Sequence, residues 1–298
     1  MKIWILDSER NKNVYGAKRI LEEAEKRNIK VEYISIEDIE LIIDGNFEER
    51  LFIKNEKIIL PDIIIPRVDS SYQIKSIIDF FEKSGKIIIN SNESRLLAND
   101  KFLSLQKLAN FKLPVPKTVL LKGRPNIDFI EKQLNYPIIL KKLDGAAGKG
   151  IIKVDDRGEL EDILEMLEES LYKLNKVLIL QEYIGEKAGM DLRIFVVGGR
   201  IIGSMLRKGK PGDFKANYSG GGSTHNYELN QIEEILALEA AKVVGLDIAG
   251  VDLLFDKDNG YRICEVNASP GFEGLEKATG LNIAGEILNY IENRYFIK

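Results

Sequence analysis

Near the end of the chain, Ala249-Gly250-Val251-Asp252 is followed, after a turn's length, by Ile263-Cys264-Glu265-Val266-Asn267. Residues two apart on a strand project from one face, so Glu265 and Asn267 point the same way while Cys264 and Val266 are expected to face the core. If the Asp252 strand pairs with this one across Asp258-Asn259-Gly260, two carboxylates and a carboxamide converge. Oxygen donors of that kind suit a hard cation such as magnesium, which keeps waters and bridges nucleotide phosphates. The same positions also fit the polar side of a half-exposed sheet, although polar groups on apolar strands are costly unless paired or metal-bound.

A second stretch, LKKLDGAAGKG from Leu140 to Gly150, sets Lys141 and Lys142 at a strand end ahead of a loop containing Gly145 and Gly148. Small residues let backbone N–H groups approach phosphate oxygens, with a lysine as the point charge. The Walker A spacing is absent, because two residues separate these glycines and Gly150 follows Lys149. A glycine-rich hairpin without a ligand accounts for the loop equally well. Further on, Gln181-Glu182-Tyr183-Ile184 ends a strand and offers backbone groups to an adenine edge, as any strand terminus does. Asp191, Arg193, Arg207, Lys215 and Asn217 form a set able to bind ribose hydroxyls, phosphates and a carboxylate, or simply a solvated charged surface.

Two singletons narrow the chemistry. The one cysteine, Cys264, allows no intrachain disulfide and no cysteine-rich metal centre, and is expected as a packed, inert thiol. The one histidine, His225, lies in the polar run Ser223-Thr224-His225-Asn226 and is expected as an exposed loop residue. Carboxylates, lysines, arginines and backbone amides must therefore do the work. With 44% hydrophobic residues among 298, the chain can build a packed core over about two domains. Its 43 basic against 47 acidic side chains give a net charge of −4, which disfavours a nucleic-acid partner. Its apolar runs fall far short of the roughly 20 residues that span a bilayer. Asp7 and Glu9 interrupt the N-terminus too early for a secretory segment. A cytoplasmic protein without membrane contact is the expectation.

The elements that must position these residues follow from periodicity. Residues 1–95 read as an α/β unit: strands at Lys2–Leu6, Val31–Ile36, Asp62–Pro66 and Lys86–Asn90, helices over Val14–Arg27 and Ser71–Lys83, and a hairpin turning at Asn55-Glu56. The pattern turns helical from Ser94 to Phe111, across the start of residues 96–185, which continue as an α+β unit with strands at Thr118–Leu121, Tyr136–Lys141, Gly150–Val154 and Val177–Tyr183. Residues 186–298 hold a hairpin turned by Gly198-Gly199, a polar loop over Lys208–Asn226, a helix over Asn230–Val244, the Asp252 and Glu265 strands and a final helix over Asn282–Tyr295.

The order Lys101, Lys141, the glycine loop, Glu182-Tyr183, Asp191, Arg207, Asn217, Asp252, Glu265-x-Asn267-x-Ser269-Pro270-Gly271 resembles the ATP-grasp superfamily. EVNASPGFEGLEKATGLNIAG at 265–285, NDKFLSLQKLA at 99–109 and GDFKAN at 212–217 are similar to its RimK-type glutamate ligase branch, over essentially the whole chain. The resemblance implies an ATP-grasp fold, α/β and α+β, behind a Rossmann-like α/β domain: 1–95 pre-ATP-grasp, 96–185 the central lid, 186–298 the metal and catalytic domain. It implies ATP, with two Mg2+ or Mn2+ ions held by Asp252, Glu265 and Asn267. Lys101 and Lys141 would meet the phosphates with the Gly145–Gly148 loop, Glu182 and Tyr183 the adenine, Asp191 the ribose. Lys215 and Asn217 would lie near the transferred phosphate. Arg207 would stabilise charge in the transition state, and Arg193 and Ser269 would hold the acceptor carboxylate. The chemistry implied is amide formation through an acylphosphate, adding glutamate to a protein or coenzyme carboxylate such as that of a ribosomal protein, a deazaflavin or methanopterin, in a homo-oligomer. The alternatives are a ligase that modifies an amino acid α-amine on a carrier protein, a nucleotide-binding module without turnover, and an ATP-grasp kinase. One departure is visible: Gly220 stands where the branch commonly carries a basic residue before paired glycines.

Overall fold

The computed structural model describes residues 2–42, 51–123, 125–143, 150–172, 177–216 and 221–295. Its first strand, β1 (Lys2–Asp7), is apolar on both faces, with Ile3, Trp4, Ile5 and Leu6 all buried. Such a strand belongs inside a parallel sheet covered on both sides. Helix α1 (Tyr15–Lys26) takes one side, packing Ala17, Ile20 and Ala24 on Ile3 and Ile5. Strands β2 (Lys30–Ser35), β3 (Ile39–Leu41), β4 (Leu51–Ile53), β5 (Glu56–Lys57) and β6 (Ile63–Pro66) follow, then helix α2 (Tyr72–Lys83) on the Trp4 and Leu6 side, and β7 (Ile87–Ile88). The order β2-β1-β6-β7 is parallel throughout, while β3-β4-β5 is a separate small antiparallel sheet. The hairpin turns one residue earlier than expected, at Lys54 and Asn55, with φ of 51° and 66°. Both central residues of that turn are left-handed, a conformation Asn tolerates and Glu56 is spared.

The helical stretch after residue 91 is two helices, α3 (Asn92–Asn99) and α4 (Lys101–Asn110). Asp100 breaks it, its carboxylate accepting from Phe102 N at 3.0 Å and Leu103 N at 2.9 Å. This N-cap puts Lys101 at the start of α4. Then come β8 (Thr118–Leu121), α5 (Ile127–Gln133), β9 (Ile138–Lys142), β10 (Ile151–Val154), α6 (Arg157–Tyr172) and β11 (Leu178–Glu182). The sheet, in order β10-β9-β11-β8, is antiparallel. One face packs on α5 and α6 through Leu121, Ile138, Leu140, Leu178 and Leu180; the other is turned to the rest of the molecule.

The fourth sheet is built on β12 (Met190–Val197) and β13 (Arg200–Lys208), turned by Gly198 and Gly199 at φ of 57° and 73°. Strand β14 (Ser223–Asn226) pairs with β13, helix α7 (Gln231–Val244) crosses one face, and β15 (Ile248–Phe255) and β16 (Tyr261–Asn267) complete the order β14-β13-β12-β15-β16. Helices α8 (Glu273–Thr279) and α9 (Ile283–Tyr295) close the chain. Two of these elements differ from the sequence expectation. Strand β14 lies inside the expected polar loop, because Ser-Thr-His-Asn at a sheet edge shows no apolar alternation. Helix α8 is seven residues between glycines, too short to display a helical period. Among the described residues no helix is long and apolar enough to cross a membrane.

Candidate active site

The inner face of the β8–β11 sheet and the open face of the β12–β16 sheet enclose a cleft of about 810 Å³. On the first wall, register places Ile139 opposite Gln181, and Lys141 opposite Ile179 and Ile151. Leu180 and Glu182 therefore project to the helix-covered face. Glu182 indeed accepts from Lys117 N at 2.8 Å, so at the cleft it offers backbone. Gln181 is the inward side chain, 2% exposed, accepting from Lys141 Nζ at 2.5 Å and donating to Thr118 Oγ1 at 3.0 Å. Tyr183 lines the cleft under Lys153, whose ammonium sits 5.7 Å from the ring centre.

On the second wall Asp191 lies opposite Arg207, and Arg193 opposite Asp252, which in turn faces Glu265. One face of β12 serves two purposes. Phe195 and Val197 pack on α1 and α9, while Asp191 and Arg193 on the same side open into the cleft. Arg207 grips Asp191 with two bonds, Nε to Oδ1 at 2.6 Å and Nη2 to Oδ2 at 2.7 Å, and reaches Asp252 Oδ2 at 2.8 Å. Arg193 holds Asp252 from the other side, Nε to Oδ1 and Nη2 to Oδ2, the latter at 2.8 Å. Burial alone would raise Asp252, but the two guanidiniums outweigh it and hold its carboxyl below the ordinary range. Burial pushes Asp191 up, and Arg207 offsets this only in part while the Asp252 charge adds to it. Burial opposes the charge on Arg207, yet Asp252 and Asp191 lift its pKa above the usual value.

A bulge in the β15–β16 pairing follows Asp252, with Glu265 opposite Asp252 and Ile263 opposite Leu253. The extra residue, Cys264, upsets the alternation. Ile263 and Val266 enter the core, whereas Cys264, expected there, lines the cleft beside Glu265. Its Sγ is 3.6 Å from Lys141 Nζ, and burial raises its pKa, so the thiol stays protonated. Lys101 Nζ is 3.6 Å from Glu265 Oε1 and 3.4 Å from Leu143 O. Asn267 meets both neighbours when its oxygen faces Arg193 Nη2 and its nitrogen Glu265 Oε1, each at 3.2 Å.

The structure thus brings together Lys101, Lys141, Tyr183, Asp191, Arg193, Arg207, Lys215, Asp252, Glu265 and Asn267, with Glu182 present through its backbone. Gly145, Gly148 and Asn217 lie outside the described residues. His225 is exposed on β14, its Nε2 3.1 Å from Ser223 Oγ. Sequence reasoning gave Gln181 only a backbone role at a strand end, put Cys264 in the core and missed the loop Val68–Ser71, all of which line the cleft. The loop had a usable signal: it leaves the carboxyl end of a parallel strand, where ligands of open α/β sheets bind.

Among the described residues no three His, Cys, Asp or Glu side chains are placed to hold a metal. A cation here would take two carboxylates and a carboxamide from the protein. Three arginine hydrogen bonds occupy Asp252, leaving about one of a carboxylate's roughly four acceptor positions. An incomplete, all-oxygen set of this kind fits Mg2+ that draws its remaining ligands from phosphate and water.

Two antiparallel sheets closing on such a cleft, behind a parallel α/β domain, make an ATP-grasp fold. Solved structures agree. The RimK domain ATP-grasp protein from Sphaerobacter thermophilus superposes with a TM-score of 0.76 at 18% identity, covering 97% of this chain and 99% of its own. The ATP-grasp ligase PsnB, complexed with a phosphomimetic variant of minimal precursor, Mg and ADP, gives a TM-score of 0.73 at 18% identity over 98% of each chain. In sequence, residues 98–291 match the RimK-like ATP-grasp domain and residues 1–94 the RimK pre-ATP-grasp domain. A probable alpha-L-glutamate ligase 1 of Pseudoalteromonas atlantica is 35% identical over 99% of this chain and 96% of its own length. The chain belongs to the RimK-type ATP-grasp ligase family. It is an ATP-dependent acid–amino-acid ligase of the ADP-forming class.

Proposed function

We propose that the protein adds L-glutamate to the carboxylate end of a protein or coenzyme acceptor, through an acylphosphate. The observation that carries the reading is the buried chain Asp191–Arg207–Asp252–Arg193 beside Glu265 and Asn267. It fixes two guanidinium forks and the oxygen donors in one row facing Lys141. Glutamate as the amine draws support from the naming of the 35% identical relative.

The cleft has two ends. Ile139, Met190 and Leu254 form the apolar one with the Glu182–Tyr183 backbone, suited to adenine; Lys101, Glu265 and Asn267 form the polar one. Lys141, held by Gln181, and Lys101 bind phosphate oxygens. Lys215 lines the cleft and is assigned to the transferred phosphate; Asn217, Gly145 and Gly148, outside the described residues, are assigned to the phosphates with it on the family resemblance alone. Asp191 sets the Arg207 fork and borders the ribose. Asp252, Glu265 and Asn267 would hold Mg2+ or Mn2+, two ions in the proposed assembly, and the metal would supply charge neutralisation at the phosphates.

The acceptor carboxylate, oriented by Arg193 and Ser269, attacks the γ-phosphorus. A C–O–P bond forms, the bond to ADP breaks, and Arg207 stabilises the charge that develops on the phosphoryl oxygens. The glutamate amine, as the free base, then attacks the acyl carbon to form the C–N bond; the C–O bond breaks, its electron pair leaves on inorganic phosphate, and phosphate takes the proton lost by nitrogen. Positioning and fixed charge suffice, and no enzyme nucleophile is required. The division 1–95, 96–185 and 186–298 is proposed with it, supported by four sheets, none of which crosses these limits, and by family matches that end at 94 and resume at 98. A homo-oligomer is the assembly proposed.

Mass spectrometry of reactions with Mg-ATP, glutamate and a panel of glutamate-terminated peptides and coenzyme acids tests this. ADP together with an acceptor heavier by whole glutamyl units is expected. A phosphoryl adduct of the acceptor that survives hydroxylamine, which cleaves an acylphosphate, and that forms without need of glutamate would replace the ligase reading with a kinase.

A further inference from the structure

Arg95 is 1% exposed, the most deeply buried of the basic side chains described, and it sits on α3 beneath the loop joining β6 to α2. Its Nη2 donates to Val68 O at 2.8 Å and to Asp69 O at 3.1 Å. Its Nε and Nη1 are buried with no partner among the described residues. Burial lowers its pKa to about 10, against the opposing charges of Asp69 and Glu82. A buried guanidinium with unmet donors is costly, and a leucine would fill the space without that cost. What the arginine does that a leucine cannot is pin two successive carbonyls of one loop.

That loop, Val68–Ser71, is a wall of the cleft. Its place along the cleft follows from register. Strand β15 runs from Gly250, opposite Asn267, to Leu254, opposite Arg262, so the Asn267 end lies away from the apolar Leu254 end. Ser269, two residues beyond Asn267, donates to Pro66 O at 3.1 Å and ties the start of the loop to the Asn267 end. The loop is internally braced, Asp69 Oδ1 accepting from Ser71 N at 2.8 Å, and it leaves Ser70 and Ser71 exposed toward the cleft.

We propose that Arg95 is a positioning residue for acceptor selection: by clamping Val68 O and Asp69 O it fixes the Val68–Ser71 loop as the acceptor-side wall at the reacting end of the cleft. The occupant of that end, a carboxylate-bearing acceptor, rests on the ligase reading above. The clamp itself rests only on the geometry.

The test uses the full chain with Arg95→Lys, which keeps the charge but not the fork, and Arg95→Met, which removes both. Hydrogen exchange across residues 67–73 is read first, with and without Mg2+ and a non-hydrolysable ATP analogue. Loss of the clamp is expected to speed exchange at Asp69–Ser71 by about tenfold. With glutamate and a glutamate-terminated peptide, the acceptor KM should rise about tenfold while kcat and the KM for ATP stay within about twofold, Arg95→Lys falling between wild type and Arg95→Met. A merely structural role would move all three constants together and lower the melting temperature. That pattern, or a loosened loop with an unchanged acceptor KM, overturns the proposal. If Arg95→Met does not fold, Arg95→Lys carries the same comparison. If the wild type turns over no glutamyl acceptor, the acceptor reading fails while exchange at 67–73 still decides whether Arg95 holds the loop.

Discussion

At the scale of the residue, the site is an electrostatic row in which each group depends on its neighbour. Arg207 is bonded to Asp191 and Asp252, so Arg207→Ala would strand the buried Asp191, at about 3–5 kcal/mol, and leave Asp252 to Arg193 alone, confusing chemistry with folding. Arg207→Lys keeps a charge and loses the fork. It should lower kcat by about 100-fold and ATP affinity far less, because the donors matter most where charge develops. Steady-state kinetics beside equilibrium nucleotide binding would show it, and lost affinity with intact kcat would make Arg207 a ground-state anchor. Glu265 is different: a third of its side chain is exposed and Lys101 stands 3.6 Å away. Glu265→Ala should therefore fold normally, checked by circular dichroism and melting, and lose at least about 100-fold in turnover. Activity near wild type in well-folded protein would remove Glu265 from the metal set. The convergence of Asp252, Glu265 and Asn267 was legible in the sequence, because strand alternation and a short turn fix a hairpin's facing residues. The side taken by Cys264 was not, since a bulge leaves no mark in alternation. Nor was the Asp191–Arg207 grip, which depends on cross-strand register between residues 16 apart.

At the scale of the element, what the sequence shows is the apolar period, and what it hides is set by single polar contacts. Strand β1 and helices α1 and α2 were legible because their buried faces are long and regular. The break between α3 and α4 was not, because Leu96 and Leu97 continue a helical pattern across Asp100, and only the cap to Phe102 and Leu103 ends it. A comparable contact joins the ends of β1 and β2. Glu37 accepts from Ser35 Oγ at 2.5 Å, Ser8 Oγ at 2.7 Å and Glu9 N at 2.9 Å. The hydroxyl of Ser35 leads in pulling its pKa from 4.5 to about 2, with burial opposing. A depressed carboxylate adds stability that is present above its unfolded value and is lost as pH falls through its folded one. Glu37 should therefore contribute a fall in stability between pH 4.5 and about 2. Urea unfolding at stepped pH should show a shallower acid limb in Glu37→Gln than in wild type, and parallel limbs would show that the three contacts do not favour the ionised form.

At the scale of the whole molecule, the three stretches of chain do not each keep a private core. Ile3, Ala17, Ile20 and Ile65 from the first share one cluster with Phe195, Phe272, Ile287 and Ile291 from the third. The β8–β11 sheet, in contrast, packs with its own helices through residues from Val119 to Leu180 alone. The boundary proposed near residue 95 has no counterpart across that cluster, which composition and linker signals could not reveal because they read only neighbours in sequence. Glu276 on α8 is the polar centre of the joint. It accepts from Tyr15 Oη at 2.7 Å, Arg19 Nε at 3.0 Å and Ile283 N at 2.8 Å, and its side chain is 8% exposed. Glu276→Ala would leave Arg19 short of its main partner and a backbone donor unmet, a loss of about 3 kcal/mol. Because the shared core couples both stretches, the loss should not stay local. Hydrogen exchange should accelerate together in α1, α8 and α9, while amides of β8 to β11 keep their wild-type rates. Acceleration confined to α8 would show that the first and third stretches open independently. Acceleration that includes β8 to β11 would show that the cleft's two walls unfold as one unit.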